Sequence, residues 1–133
     1  MPLTSHNAQN LHRVYILGSP TSGASMGSDQ TSDLIDFKNM TTGSIQVKWE
    51  DQDADDGEIA IEVSNIPEEE WFDEIHQCPA IMSETGSGRG NKQVKLFDLG
   101  NSMIGFRYAR VKFYHGSNTT GAITAIALGK KNG

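Results

Sequence analysis

Cysteine is nearly missing from this chain: Cys78 is the single one in 133 residues. One thiol cannot close an intramolecular disulfide, so packing and hydrogen bonds must hold the fold, and nothing points to an oxidising compartment. Cys78 itself reads as an inert, partly buried thiol. Cations are scarce too. Eleven Lys and Arg against 17 Asp and Glu leave a formal net charge of −6, and without a basic cluster to neutralise phosphates no nucleic-acid partner is expected. No run of about 18 apolar residues occurs, and residues 1–10 (MPLTSHNAQN) have neither the basic start nor the apolar stretch of an export signal. No membrane partner is expected either.

Helical periodicity and catalytic constellations are equally thin. Only residues 65–79 offer a helix start, with Glu68-Glu69-Glu70-Trp71-Phe72 following Pro67 and acids in the first turn, and a single turn is the most we expect there. The four histidines, His6, His12, His76 and His115, are scattered, and His76 with Cys78 falls short of the three or four ligands that a metal site needs. No nucleophile elbow, serine triad or carboxylate pair in an apolar setting is visible. The expectation is therefore that the protein is not an enzyme and has no catalytic residues.

What the chain has in abundance is strand signal punctuated by turns. In residues 44–50, Ile45, Val47 and Trp49 alternate with Gln46, Lys48 and Glu50, and in residues 58–64, Ile59, Ile61 and Val63 alternate with Glu58, Ala60 and Glu62. With the turn 51–57 (DQDADDG) between them, these two segments read as a hairpin with one apolar and one charged face. Further strands are expected at 12–17, 33–38, 80–83, 92–99, 106–115 and 122–128, and residues 21–32 read as a long polar loop. Residues 106–115 have an awkward phase, since Tyr108 and Val111 cannot share one side of a regular pleat, so either both faces are covered or a bulge intervenes. Residues 122–128 (AITAIAL) are apolar in both phases and read as buried on both faces. About eight strands with no βαβ alternation predict an all-β chain, a single antiparallel two-sheet β-sandwich, jelly-roll-like. Residues 1–11 read as a flexible N-terminal arm, ordered only where something docks it, and residues 12–133 as the sandwich domain.

Three motifs invite a functional reading. Asp51, Asp53, Asp55 and Glu58 place alternate carboxylates on one turn, the donor set that Ca²⁺ favours, although Gly57 is one position late for a helix-loop-helix site and strands flank the loop. The competing reading is a solvated turn whose like charges discourage edge pairing. The glycine-rich 86–92 stretch lacks the Walker spacing and reads as a connection. Asn39-Met-Thr and Asn118-Thr-Thr match the glycosylation sequon, which matters only in a secretory pathway. Among the aromatics, Trp49 is in phase with Ile45 and Val47 and belongs to the core, whereas Trp71 sits in a loop-like segment, either as a plug at one end of the sandwich or as an exposed platform for sugar rings.

From residue 43 onward the order of features resembles small β-sandwich structural proteins of bacterial viruses, of the capsid-associated or spike type. The residues that carry the resemblance are Val63-Ser64-Asn65 leading to Trp71, then Arg107-Tyr108-Ala109-Arg110-Val111, then the closing Gly129-Lys130. Ile66-Pro67 replaces the Asp-Gly turn usual in that group. The resemblance implies a virion protein assembled in the host cytoplasm, a capsid decoration, vertex, spike or neck component, whose partners are other virion proteins: the major capsid protein, or further copies of itself as a homo-oligomer. Discoidin-like sugar-binding domains carry a similar Ser-Asn…Trp element followed by Arg-Tyr-x-Arg. The alternative implied is a carbohydrate-binding β-sandwich module that adsorbs to a host-surface glycan.

Overall fold

The computed structural model describes residues 5–7, 13–82, 92–100 and 104–130. Among them eleven strands run in chain order: β1 (Ser5–Asn7), β2 (Arg13–Leu17), β3 (Ala24–Ser25), β4 (Gln30–Thr31), β5 (Leu34–Asp36), β6 (Thr42–Glu50), β7 (Gly57–Ser64), β8 (Asp73–Ala80), β9 (Lys92–Gly100), β10 (Tyr108–Tyr114) and β11 (Ala122–Lys130). One 3-10 turn, Glu69–Trp71, lies between β7 and β8. The strands form two sheets. Sheet one has the order β1-β5-β10-β7-β8 with β4 also on β10, and sheet two has the order β2-β11-β6-β9 with β3 also on β11. Every pairing is antiparallel except that of β1 with β5. The chain is a two-sheet, jelly-roll-like β-sandwich.

The alternating segments make the two inner faces. Ile45, Val47 and Trp49 of β6, Ile123, Ala125 and Ala127 of β11, and Phe97 and Leu99 of β9 face Ile59 and Ile61 of β7 and Ala109, Val111 and Phe113 of β10, all in one buried cluster. Each large side chain among them stabilises the fold by roughly 1.5–3 kcal/mol on leaving water. Trp49 joins the core because its indole N–H finds the Ile81 carbonyl at 2.8 Å.

The expected hairpin of residues 44–50 with 58–64 does not form. β6 pairs with β11 and β9, and β7 pairs with β10 and β8, so the acidic turn crosses from one sheet to the other and the two apolar faces meet through the core. A one-sided apolar strand is satisfied by any partner layer, and the alternation alone cannot say whether its neighbour in sequence lies beside it or opposite it. The single turn at Glu69–Trp71 is as expected, but it leads into the eight-residue β8, of which only the end was legible. β8 is an edge strand with seven of its eight residues at least partly exposed and Pro79 within it, so it has no apolar face to betray it. The polar loop 21–32 contributes two short pairings, β3 and β4.

β10 pairs with β7 in unbroken register from Tyr108 to Tyr114. Its awkward phase is therefore resolved by covering both faces: Ala109, Val111 and Phe113 point into the core, and Arg110, equally buried, points outward under other groups. β11 is central in sheet two, between β2 and β6. Within the N-terminal segment, residues 5–7 add to sheet one beside β5, while residues 1–4 and 8–12 lie outside the described residues, as does most of the glycine-rich stretch.

Candidate functional site

At one end of the sandwich the acidic crossover 51–56 interlocks with the turn that joins β10 to β11. The Asp53 carboxylate accepts from the Thr119 amide at 2.8 Å, from the Thr119 hydroxyl at 2.5 Å and from the Thr120 amide at 3.3 Å. Asp56 accepts from the Ser117 amide at 2.9 Å, and Asp55 from the Met82 amide at 2.6 Å. The close fit needs Gly116, whose φ is +59° and where an added Cβ would lie 2.6 Å from the Asp56 carbonyl oxygen. Asn118, 1% exposed, is the centre of the joint: its Oδ1 accepts from the Ala54 amide at 2.9 Å and its Nδ2 donates to the His115 carbonyl at 2.8 Å. With both ends of its amide engaged, the Asn118 sequon is closed in the folded chain.

This geometry bears directly on the calcium residues read from the sequence. Asp53 and Asp55 are turned toward different backbone donors, Glu58 lies on the face of β7 beside Gln77, and Asp51 takes a positive φ of 63° while its carbonyl accepts from Thr120. Among the described residues no three His, Cys, Asp or Glu side chains are grouped as a metal ion would require. The Thr119 hydroxyl and amide hold the Asp53 carboxyl below its ordinary range, the Ser117 amide does the same for Asp56, and the His115 amide for Asp29. Carboxylates here satisfy orphan loop amides in the manner of helix caps.

A second cluster lies on the outer face of sheet one. Arg110, whose side chain is 3% exposed, donates to Glu62 at 2.8 Å and to both oxygens of Glu69 at 2.6 and 2.9 Å, and stacks 4.1 Å over the Phe72 ring. Burial would lower the Arg110 pKa, but the bonds to Glu69 and Glu62 outweigh it and hold it above its ordinary value, while the same bond from Arg110 holds the Glu69 carboxyl low. Loss of the guanidinium would leave the largely buried Glu62 carboxylate without its cation, whereas Glu69 is open to water. Glu69 and Phe72 lie on either side of Trp71, so the arginine holds the segment that carries that tryptophan. Trp71 is 59% exposed and stands over a groove of about 460 Å³ with Val63, Asn65, Ile66 and Phe106. Of its two readings, platform and plug, the exposed one is what the fold displays. The Ile66-Pro67 turn is closed by Ser64, whose hydroxyl accepts from the Ile66 amide at 3.0 Å and donates to the Ile66 carbonyl.

The outer face of sheet two carries exposed apolar side chains among its polar ones. Registers place Tyr15, Ile126, Gln46 and Leu96 in one row across the four strands, Thr124, Lys48 and Val94 in the row beside it, and Arg13, Leu128, Ser44 and Asp98 on the other side. Val94 is 55% and Leu96 59% exposed. Between the first two rows, Tyr15, Pro20, Ile126, Val94 and Thr124 surround a hollow of about 170 Å³ beside Lys48. Neither Val94 nor Leu96 was singled out in the sequence. The available signal was residues 92–99 (KQVKLFDL), which carry apolar residues in both strand phases.

No family model matches the chain, and no curated protein does. Among solved structures, Eiger TNF from S. frugiperda is similar with a TM-score of 0.58 and 9% identity, covering 93% of this chain and 94% of that one. The K1 cleaved adhesin domain of Lys-gingipain from Porphyromonas gingivalis W83 is similar with a TM-score of 0.55 and 12% identity, covering 92% and 91%. These likenesses define the class, a jelly-roll-type β-sandwich. The coat protein of Tobacco streak virus and a family 29 carbohydrate binding module align more loosely, at TM-scores of 0.40 and 0.41, and carry no weight here.

Proposed function

We propose that this protein is a non-catalytic structural component of a bacterial virus particle, a decoration, vertex, spike or neck protein that works by protein-protein assembly in the host cytoplasm and in the virion. The observation that carries the reading is the outer face of sheet two, where, among the described residues, Tyr15, Ile126 and Leu128 on one side of the polar strand β6 and Val94 and Leu96 on the other present apolar side chains at the surface. A face of that composition is characteristic of an interaction site. The partners that suit it are other virion proteins, the major capsid protein or further copies of this chain. The resemblance carried by Val63-Ser64-Asn65, Trp71 and Arg107-Tyr108-Ala109-Arg110-Val111 supports the same assignment.

The test is the protein content of virus particles purified from cells that express the chain. The wild type should be present in fixed ratio to the major capsid protein. The variant Val94→Thr with Leu96→Thr, which keeps strand propensity while removing apolar surface, should be excluded from particles yet fold normally. Absence of the wild type from particles refutes the reading. A second reading is favoured by one observation, the exposed Trp71 over its groove: a carbohydrate-binding module that adsorbs to a host-surface glycan. Glycan binding by the wild type, lost in Trp71→Ala, would establish it.

A further inference from the structure

Two surfaces of this chain are complementary and cannot meet within one molecule. The segment that bears Trp71 covers the outer face of sheet one through Glu69 and Phe72, whereas Lys48 lies on the outer face of sheet two. Around Trp71 the segment 68–74 contains no cation, and Glu68, Glu70, Asp73 and Glu74 are exposed without an ion-pair partner among the described residues. The face of sheet two has the opposite balance, with Arg13, Lys48, Lys92 and Lys130 in phase against only Glu50 and Asp98. Lys48 is half-buried beside Tyr15, Val94 and Ile126 and has no carboxylate partner among the described residues.

We propose that copies of this chain associate head to tail, with Trp71 of one seated in the Lys48 hollow of the next. The inference rests on the assembly reading above and names the partner as a second copy. Trp71 suits an anchor because the backbone that carries it is already held: Glu69 and Phe72 are both bound to Arg110, and the Trp71 amide donates to the Glu68 carbonyl at 3.0 Å. An anchor ordered before docking loses little conformational entropy on binding. In the hollow the Lys48 ammonium approaches the indole as a cation on an aromatic face, and Tyr15, Ile126 and Val94 cover its edges. Glu68, Glu70 and Glu74 then come opposite the cations of the sheet, which sets the direction of docking. Because the two patches differ, the contact is heterologous, and it repeats into a ring or an open stack.

Sedimentation of the full chain over a range of concentration and salt tests this. The wild type should associate as concentration rises, and less so at high salt. Trp71→Ala and Lys48→Glu should each weaken association by about tenfold or more, as loss of a central anchor does. Mixed together, these two variants should form heterodimers and nothing larger, because Trp71→Ala keeps its hollow and Lys48→Glu keeps its tryptophan. Trp71 is exposed, so its variant should melt like the wild type. The proposal is overturned by a wild type that stays monomeric at every concentration, by a Trp71→Ala variant that associates like the wild type, or by a folded mixture that does not pair. Glycan binding lost in Trp71→Ala with association unchanged would also overturn it. A chain that associates but is absent from particles refutes the virion reading alone, and one found in particles but monomeric refutes only this inference.

Discussion

Replacing Asn118 with alanine removes two hydrogen bonds from the joint between the 51–56 crossover and the 115–121 turn, one accepted from Ala54 and one donated to His115. Each such bond contributes about 1 kcal/mol net, and the stranded Ala54 amide, half-buried and partly reached by water, adds about 1 kcal/mol more, for a total of about 2–4 kcal/mol. In a domain of this size that corresponds to a fall in Tm of roughly 6–15 °C. Urea unfolding followed by the fluorescence of the buried Trp49 measures it directly. The midpoint should drop with no change in slope, because the surface exposed on unfolding is unchanged. Asn118→Asp should cost still more at neutral pH, since it brings a carboxylate against the His115 carbonyl, and part of that excess should be recovered in acid as the new carboxyl gains a proton to donate. A loss below about 0.5 kcal/mol for Asn118→Ala, the range of an ordinary surface change, would refute the claim that this side chain holds the joint.

Asp29, Asp53, Asp56 and Glu69 all have folded-state pKa values below the ordinary values of 3.8 and 4.5. Their stabilisation is therefore fully present above those values and is lost as pH falls through the lower folded-state ones. A melting series should be flat from neutrality to about pH 5 and decline below about pH 4, and a protein that gains stability in that acid range would contradict the assignment. Because loop amides and hydroxyls already occupy Asp53 and Asp55, millimolar calcium should leave Tm unchanged, and a rise that disappears in Asp53→Asn would restore the metal reading. Burial pushes the Cys78 thiol up from its ordinary value. Thiol reagents at mildly alkaline pH should therefore modify it more slowly in the native protein than in urea, and equal rates would refute its partial burial.

Period-two alternation at residues 44–50 and 58–64, turn residues between strands and the lack of a sustained helical period were enough to determine an all-β sandwich and the part of its core that β6 and β7 supply. Trp49 was legible as core because its phase matches Ile45 and Val47. β8 was not legible, because an edge strand with a solvated outer side needs no apolar pattern. The pairing of β6 and β7 with other strands was decided by tertiary structure, since a strand's side-chain pattern records that one face is buried and leaves open which strand lies beside it. The candidate sites were decided there too. Arg110 is an ordinary charge in a strand until Glu62, Glu69 and Phe72 converge on it, and Lys48 is an ordinary solvent-side residue until Tyr15, Val94 and Ile126 gather around it from three other strands. Such convergence depends on long-range register, which the alternation of one segment does not contain.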